Sequence, residues 1–350
     1  MPRVHLLGVG ATSLSREVRD VRWLAHDAVT AALADAGLEG REVDALAVAS
    51  GEDSAVLGCE EAIGHPVHST DCEGAHGALA LHAAWTAVAT GESDVVVCVG
   101  SDPPPAFGAG AIPVEALAAS ARLYMRESGA TEEHLALVAA KNRGHGASNP
   151  RALVRRAVDA LTVLGSAPLA WPLRQMMVAT PAQGAAAIVL SSRDDLGTRA
   201  GQRAPQLPAS VLLGVGAGQP PAVARAAGLA YFGAGIGPED IDLAEVEDAT
   251  PAAEISAYEA LELAPALRGP ELVETGFTEL GGVVPVNASG GTLAQGRVPG
   301  SGAILQLIEV ALQLRGSAGR RQVPGARVGL ALCGDSIGPQ ASTSLTVVGG

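Results

Sequence analysis

Lysine is nearly missing from this chain of 350 residues: Lys141 is the single one among 23 lysines and arginines. Schiff-base chemistry would therefore rest on that residue alone, and the GxxxxGK[ST] pattern of a phosphate-binding P-loop is absent. Aromatic residues are scarce at 3%, so an interior drawn from the 48% hydrophobic residues must be built from Ala, Val and Leu. Basic charge is short as well. A net charge of −14 argues against nucleic acid or an anionic membrane as partner, since both need a basic face. The four cysteines, Cys59, Cys72, Cys98 and Cys333, show no CxxC spacing, which predicts a reducing, cytoplasmic setting rather than a disulfide framework. No apolar run reaches membrane-spanning length; the longest, GALALHAAWTAVATG, is interrupted by His82. That stretch predicts a helix buried on all sides, and the N-terminus is too quickly polar for a signal peptide. The whole predicts a soluble protein.

What the chain does have is internal repetition. LLGVGA occurs at Leu6–Ala11 and again at Leu212–Ala217. AGLEGREVD (Ala36–Asp44) is echoed by AGIGPEDID (Ala234–Asp242), each a glycine-ended helix followed by a polar turn and a strand. DVVVCVGSD (Asp94–Asp102) is matched loosely by RVGLALCGDS (Arg327–Ser336). Three matches in the same order predict two like halves of mixed strand and helix. A helix is predicted over Asp20–Ala36 from apolar residues at helical spacing, and another starts near Thr131. The strands are short and almost wholly apolar, as in a sheet covered on both faces. Residues 103–181 have no counterpart in the second half and read as an insertion that covers an active site or extends a dimer surface. Residues 193–209 read as a linker.

Several residues are candidates for chemistry. Cys72, in STDCEGAHGALALHAAW, is expected near the N-terminus of the long apolar helix, where the helix dipole favours a thiolate. Asp71 and Glu73 oppose that effect, and a buried cysteine also serves as a small hydrophobe. His76, four residues on, would share the helix face. The spacing His65, His68, Cys72, His76 offers a zinc alternative, weakened by Pro66 and by the change from coil to helix. Cys333 closes an apolar strand in LALCGDSIG, and strand ends from two like halves converge on one crevice. Glu247 and Asp248 end another such strand; they are either helix caps and solvated groups or, for Glu247, a buried general base. GVGAT and GVGAG lack the last glycine of a dinucleotide fingerprint. In GGTLAQGRVPGSG, from Gly290 to Gly302, Arg297 is the one cation.

Together AALADAGLEGREVDAL, the Cys72 segment with GESDVVVCVGSD, AAKNRGHGASNPRA, QGAAAIVL, IDLAEVEDA with ISAYEALEL, and VNASGGTLAQG resemble the thiolase superfamily. Within it they are similar to the sterol-carrier-protein-type thiolases and related lipid-transfer thiolase-like proteins, along essentially the whole chain. The resemblance implies an α/β, five-layer αβαβα fold of two pseudo-symmetric halves, residues 1–195 (with the insertion at about 103–181) and 208–350, usually as a homodimer. It implies Cys72 as the acyl-accepting nucleophile toward an acyl-CoA or acyl-carrier thioester, and Cys333 near the second catalytic cysteine. Asn287, Ser289, Gly290 and His76 are then substrate- or CoA-binding candidates. Neither a metal nor a tightly bound cofactor is expected; the coenzyme A thioester is the substrate. The family's Gly-His-Pro loop appears here as Gly296-Arg297-Val298, and the His-Asp-Ala-Phe-like segment as Glu247-Asp248-Ala249-Thr250. Both usual histidines are thus replaced, and an arginine stays protonated at neutral pH. The expectation is a specialised condensation or acyl transfer in which Glu247 supplies the base and Arg297 stabilises an oxyanion, a substrate carboxylate or CoA phosphate. The alternatives are a retro-aldol cleavage of a β-hydroxyacyl-CoA with a small OB-fold partner, and a non-catalytic acyl-CoA-binding subunit whose Arg297–Glu247 pair only supports the fold.

Overall fold

The computed structural model describes residues 3–72, 76–104, 114–193, 195–196, 204–214, 223–335 and 342–350. The first half runs β1 (His5–Ala11), α1 (Val21–Ala36), β2 (Ala45–Ala49), α2 (Ser54–Ile63), β3 (His68–Asp71), α3 (Gly77–Thr90) and β4 (Val95–Ser101). An insertion carries α4 (Val114–Ser128), α5 (Glu132–Gly146), α6 (Ala160–Leu164) and a hairpin of β5 (Pro168–Ala170) and β6 (Leu173–Arg174); β7 (Ala185–Ser191) follows. The second half has β8 (Gln206–Gly214), α7 (Val223–Ala234), β9 (Leu243–Val246), α8 (Pro251–Ala260), α9 (Gly269–Glu274), α10 (Gly291–Gln295), α11 (Gly302–Leu314), β10 (Val328–Asp335) and β11 (Ser342–Gly349).

Among the described residues, nine strands form one hydrogen-bonded sheet in the order β3-β2-β4-β7-β1-β8-β11-β10-β9. The order exposes the duplication. Read from either end it gives a parallel pair on β2 or β10, then two antiparallel neighbours. The place of β3 in the second half is taken by a parallel bridge between Val286 and Ala244. The two half-sheets join through a single pair, His5 with Gln206. α3 and α11 touch each other, and each reaches strands of both halves. Helices α1 and α2 cover the outer face of the first half-sheet, and α7, with α8 behind it, covers the second. This is the five-layer αβαβα arrangement.

Local sequence explains the elements. In β7, AAAIVLS is buried at every position, as both faces carry helices. α1 is capped by Asp20, whose side chain accepts from the Arg22 N–H, and is closed by Gly37 in the left-handed region at φ 65°. It lies flat on β1 because Gly8 and Gly10 have no side chain; a Cβ at either would fall 2.2 Å from a carbonyl oxygen of α1. No described helix is long and apolar enough to cross a membrane.

Two expectations change, and a third reaches beyond the described residues. The predicted linker is shorter, since β8 begins at Gln206 and buries Leu207 against its neighbours. The second LLGVGA continues past Gly214 to residues outside the described ones. α3 is not buried all round: Leu79, His82, Ala83, Trp85 and Thr86 are half-buried. His82 and Trp85 reach across to the second half instead, to the Ser210 hydroxyl (3.2 Å) and the Leu207 carbonyl (2.9 Å).

Candidate active site

The parallel register of β9 on β10 sets Val246 opposite Leu332, and the Glu247 N–H continues the ladder to the Leu332 carbonyl at 2.9 Å. The next step therefore places Glu247 beside Cys333 and Gly334. Its Oε2 accepts from the Cys333 thiol at 3.3 Å and from the Gly334 N–H at 3.2 Å. A carboxylate and a thiol in contact form a unit that can hold or move a proton.

This pair lines a narrow cleft that opens to solvent. Arg297, His76, Gln295 and Gln306 contribute the other large polar groups, and Gly296 to Pro299 forms one wall. Arg297 is fixed by its backbone: its N–H donates to the Thr180 carbonyl (2.7 Å), and its carbonyl accepts from the Ala182 N–H (3.1 Å). Its side chain is half-buried on an otherwise acidic protein. His76 stands at the start of α3, where the Gly77 N–H donates to the Pro299 carbonyl at 3.1 Å.

The wall is anchored from below. The buried Asp102 accepts from the N–H groups of Gly300 (2.7 Å) and Ser301 (3.2 Å) and from the Ser301 hydroxyl (2.5 Å). Burial pushes its carboxyl up to about 6, opposed by those hydrogen bonds and by the positive charge of Arg297. Asp248, next to Glu247, turns inward and accepts from the N–H groups of Thr292 and Leu293, which fixes the start of α10. Its carboxyl is raised well above the usual range by burial and by Glu254. Asn142 of α5 donates to Asp248 (2.7 Å) and to Glu254. The chain's single lysine is buried here, with Nζ 2.5 Å from Glu254 and 2.8 Å from the Val286 carbonyl.

The predicted residues divide on this geometry. Glu247, Arg297, Cys333 and His76 share the cleft. Cys72 follows β3 directly and is half-buried against the central core; its N–H donates to the Val48 carbonyl at 2.9 Å. It is not at a helix start, since α3 begins at Gly77, so Cys72 and His76 share no helical face. Cys72 is not among the residues lining the cleft, and residues 73–75, including Glu73, lie outside the described ones.

Asn287, Ser289 and Gly290 are buried behind the wall rather than on it. Asn287, at φ 56°, accepts from the Val246 N–H (2.8 Å) and donates to Glu254 (2.9 Å). Ser289 bonds Glu245 through its N–H (2.9 Å) and its hydroxyl. Gly290 approaches Gly146 so closely that a Cβ would lie 2.6 Å from the Gly146 Cα. The geometry gives these three a scaffolding task in place of the expected ligand contact.

The insertion likewise backs the site, since none of its described residues lines the cleft. The His65 ring faces the carbonyls of Pro66 and Gly40, and no metal-holding cluster of His, Cys, Asp and Glu occurs among the described residues. Sequence reasoning missed Asp102, Asn142, Glu254 and Gln306. Their only signal was polarity inside otherwise apolar stretches.

A five-layer duplicated α/β chain whose strand ends bring a cysteine and a carboxylate to one cleft has the architecture of a thiolase. A family model described as Thiolase C-terminal domain-like matches residues 219–349. The acetyl-CoA acetyltransferase of Methanothermobacter thermautotrophicus is 33% identical over 371 residues, covering 94% of this chain and 95% of that protein. Sterol carrier protein 2 of Oryctolagus cuniculus is 27% identical over 382 residues, covering 94% and 69%. The solved structure of an Ltp2-ChsH2(DUF35) aldolase superposes with a TM-score of 0.87 at 23% identity, covering 99% of this chain and 98% of that one. The chain belongs to the thiolase superfamily and is of its sterol-carrier-protein type.

Proposed function

We propose that the protein is an acyltransferase acting on an acyl-CoA or other acyl thioester, specialised for condensation or acyl transfer rather than ordinary thiolysis. Cys72 attacks the thioester carbonyl, the C–S bond to CoA breaks, and the acyl group rests on Cys72 while CoA leaves as the thiol. The acyl group then passes to an acceptor deprotonated by Glu247, with Cys333 sharing the proton. Arg297, where a thiolase carries histidine, stabilises negative charge on the acyl oxygen or on a substrate carboxylate. The transfer half of this reading is carried by the Glu247–Cys333 contact at 3.3 Å in a cleft that also holds Arg297; the nucleophile half rests on the place of Cys72 just after β3, four residues before the cleft residue His76. The name of the acetyl-CoA acetyltransferase relative supports the acyl-transfer class. A homodimer with no tightly bound cofactor accompanies this reading, and sedimentation measures the oligomeric state. Incubation with a panel of acyl-CoAs and intact-mass measurement tests the chemistry. A covalent acyl adduct is expected on the protein and not on Cys72→Ala; no adduct, or one that survives the substitution, overturns it.

A second reading is retro-aldol cleavage of a β-hydroxyacyl-CoA with a small partner of the OB-fold type. It is favoured by the fold match to the Ltp2-ChsH2(DUF35) aldolase. It uses Glu247 as the base and forms no acyl-cysteine, so its activity would survive Cys72→Ala.

A further inference from the structure

The wall that carries Arg297 crosses from the second half onto the first, and three glycines make the crossing tight. A Cβ at Gly77 would lie 2.4 Å, and one at Gly100 1.9 Å, from the Gly300 carbonyl oxygen, while a Cβ at Gly300 would lie 2.5 Å from the Ser101 carbonyl oxygen. Asp102, at the end of β4, closes this junction across 198 residues of chain. It is 2% exposed, and its carboxylate faces donors of the wall: the N–H groups of Gly300 and Ser301 and the Ser301 hydroxyl. The charged group that acts on it is Arg297 of the same wall, and the segment leading into β7 offers only the Gly184 carbonyl, which takes the Asp102 N–H at 2.9 Å. Burying a carboxylate costs far more than burying a neutral amide, so a purely structural clamp would do better without the charge.

We propose that Asp102 is a positioning residue for Arg297: its carboxylate clamps the wall and balances the guanidinium charge, so that the cleft binds a thioester at full strength only while Asp102 is ionised. The inference rests on the reading of this cleft as the thioester site. Protonation takes a hydrogen bond from the wall. A carboxylate accepts at both oxygens, whereas a carboxylic acid must donate from one of them. A proton on Oδ2 can go to the Ser301 hydroxyl, but the Ser301 N–H then faces a donor. Burial raises this carboxyl to about 6, so the change falls within reach of a pH titration. The sign of the effect is distinctive. His76, Glu247 and Cys333, the other titratable groups on the cleft, gain positive or lose negative charge as pH falls, which favours an anionic CoA ester. Only a loosened wall weakens its binding.

Calorimetry with acetyl-CoA on the Cys72→Ala protein, between pH 5 and pH 8, measures binding without acyl transfer. Affinity is expected to drop about tenfold as pH falls through the Asp102 titration, the worth of one hydrogen bond to a charged group. Adding Asp102→Asn is expected to give weak binding with no such drop. Ser301→Ala keeps both N–H bonds and loses only the hydroxyl bond that lowers the carboxyl, so the drop is expected to stay and move to higher pH. Infrared difference spectra of the unliganded protein follow the same group without ligand or turnover. A protonated-carboxyl band that is missing from Asp102→Asn is expected, and its midpoint should rise in Arg297→Gln, because the arginine charge lowers it. The proposal is overturned if the drop persists in Asp102→Asn, if affinity only rises toward low pH, or if the band titrates unchanged in Arg297→Gln. Absence of acetyl-CoA binding at every pH instead overturns the reading of the cleft itself, a result distinct from binding that lacks the pH dependence.

Discussion

Alanine at Gly100 would disrupt the floor of the cleft, and the structure sets the size of the effect. Gly100 lies on β4, which is paired on one side with β2 and on the other with β7, so its backbone cannot retreat. A Cβ there would meet the Gly300 oxygen at 1.9 Å and the Gly300 carbonyl carbon at 2.6 Å, where ordinary contact starts at 3.4 Å. The turn carrying Gly300 must therefore give way by more than 1 Å, and that motion strains the hydrogen bonds anchoring Gly300 and Ser301 to Asp102. Overpacking costs about 1–3 kcal/mol, and weakening one hydrogen bond to a buried carboxylate adds about 1.5–3 kcal/mol. A total of about 4 kcal/mol, set against the unfolding entropy of a chain this long, lowers the melting temperature by on the order of 5 °C. Scanning calorimetry measures the shift. Gly144→Ala is the control: Gly144 lies inside α5 with nothing within 4 Å of a built Cβ, so alanine should stabilise by about 0.5–1 kcal/mol. Gly100→Ala melting within a degree of the unsubstituted protein would refute the close-approach argument.

Two further substitutions probe charge and chemistry. Burial pushes the Glu245 carboxyl up to about 8, the nearby Glu309 carboxylate adds to this, and the bonds from Ser289 oppose it. The folded protein thus keeps a proton that the unfolded chain releases above the ordinary carboxylate range. Stability from this group is present below pH ~4.5 and is lost as pH rises toward 8, by at most about 1.4 kcal/mol per pH unit. Glu245→Gln carries no such dependence, so urea midpoints of the two proteins should diverge in the variant's favour between pH 5 and 8; parallel curves would contradict the shift. Glu247→Gln should leave formation of the Cys72 acyl adduct in place while slowing its transfer to acceptor by ~10²–10⁴-fold, read in single turnovers. Transfer within threefold of normal would remove Glu247 from the role of base.

The sequence by itself determined the elements and the duplication. Helix ends at Asp20 and Gly37, the continuous apolar strands and the repeated glycine-ended turns are encoded within a few residues of where they act. The family was legible for the same reason, because its stretches keep their order along the chain. Which side chains meet was decided only by tertiary structure. Glu247 reaches Cys333 through the β9–β10 register, across a long chain separation that no local pattern reports. Asn287 and Ser289 look like ligand contacts in sequence, yet they bond Glu254 and Glu245 because the Val286–Ala244 bridge carries that segment into the interior. Gln306 reads as an ordinary polar residue on a helix; only the packing of α11 between the two half-sheets turns it into a buried amide on the wall of the cleft. Local propensity fixes what each segment becomes, whereas burial and register, properties of the assembled layers, fix what each side chain faces.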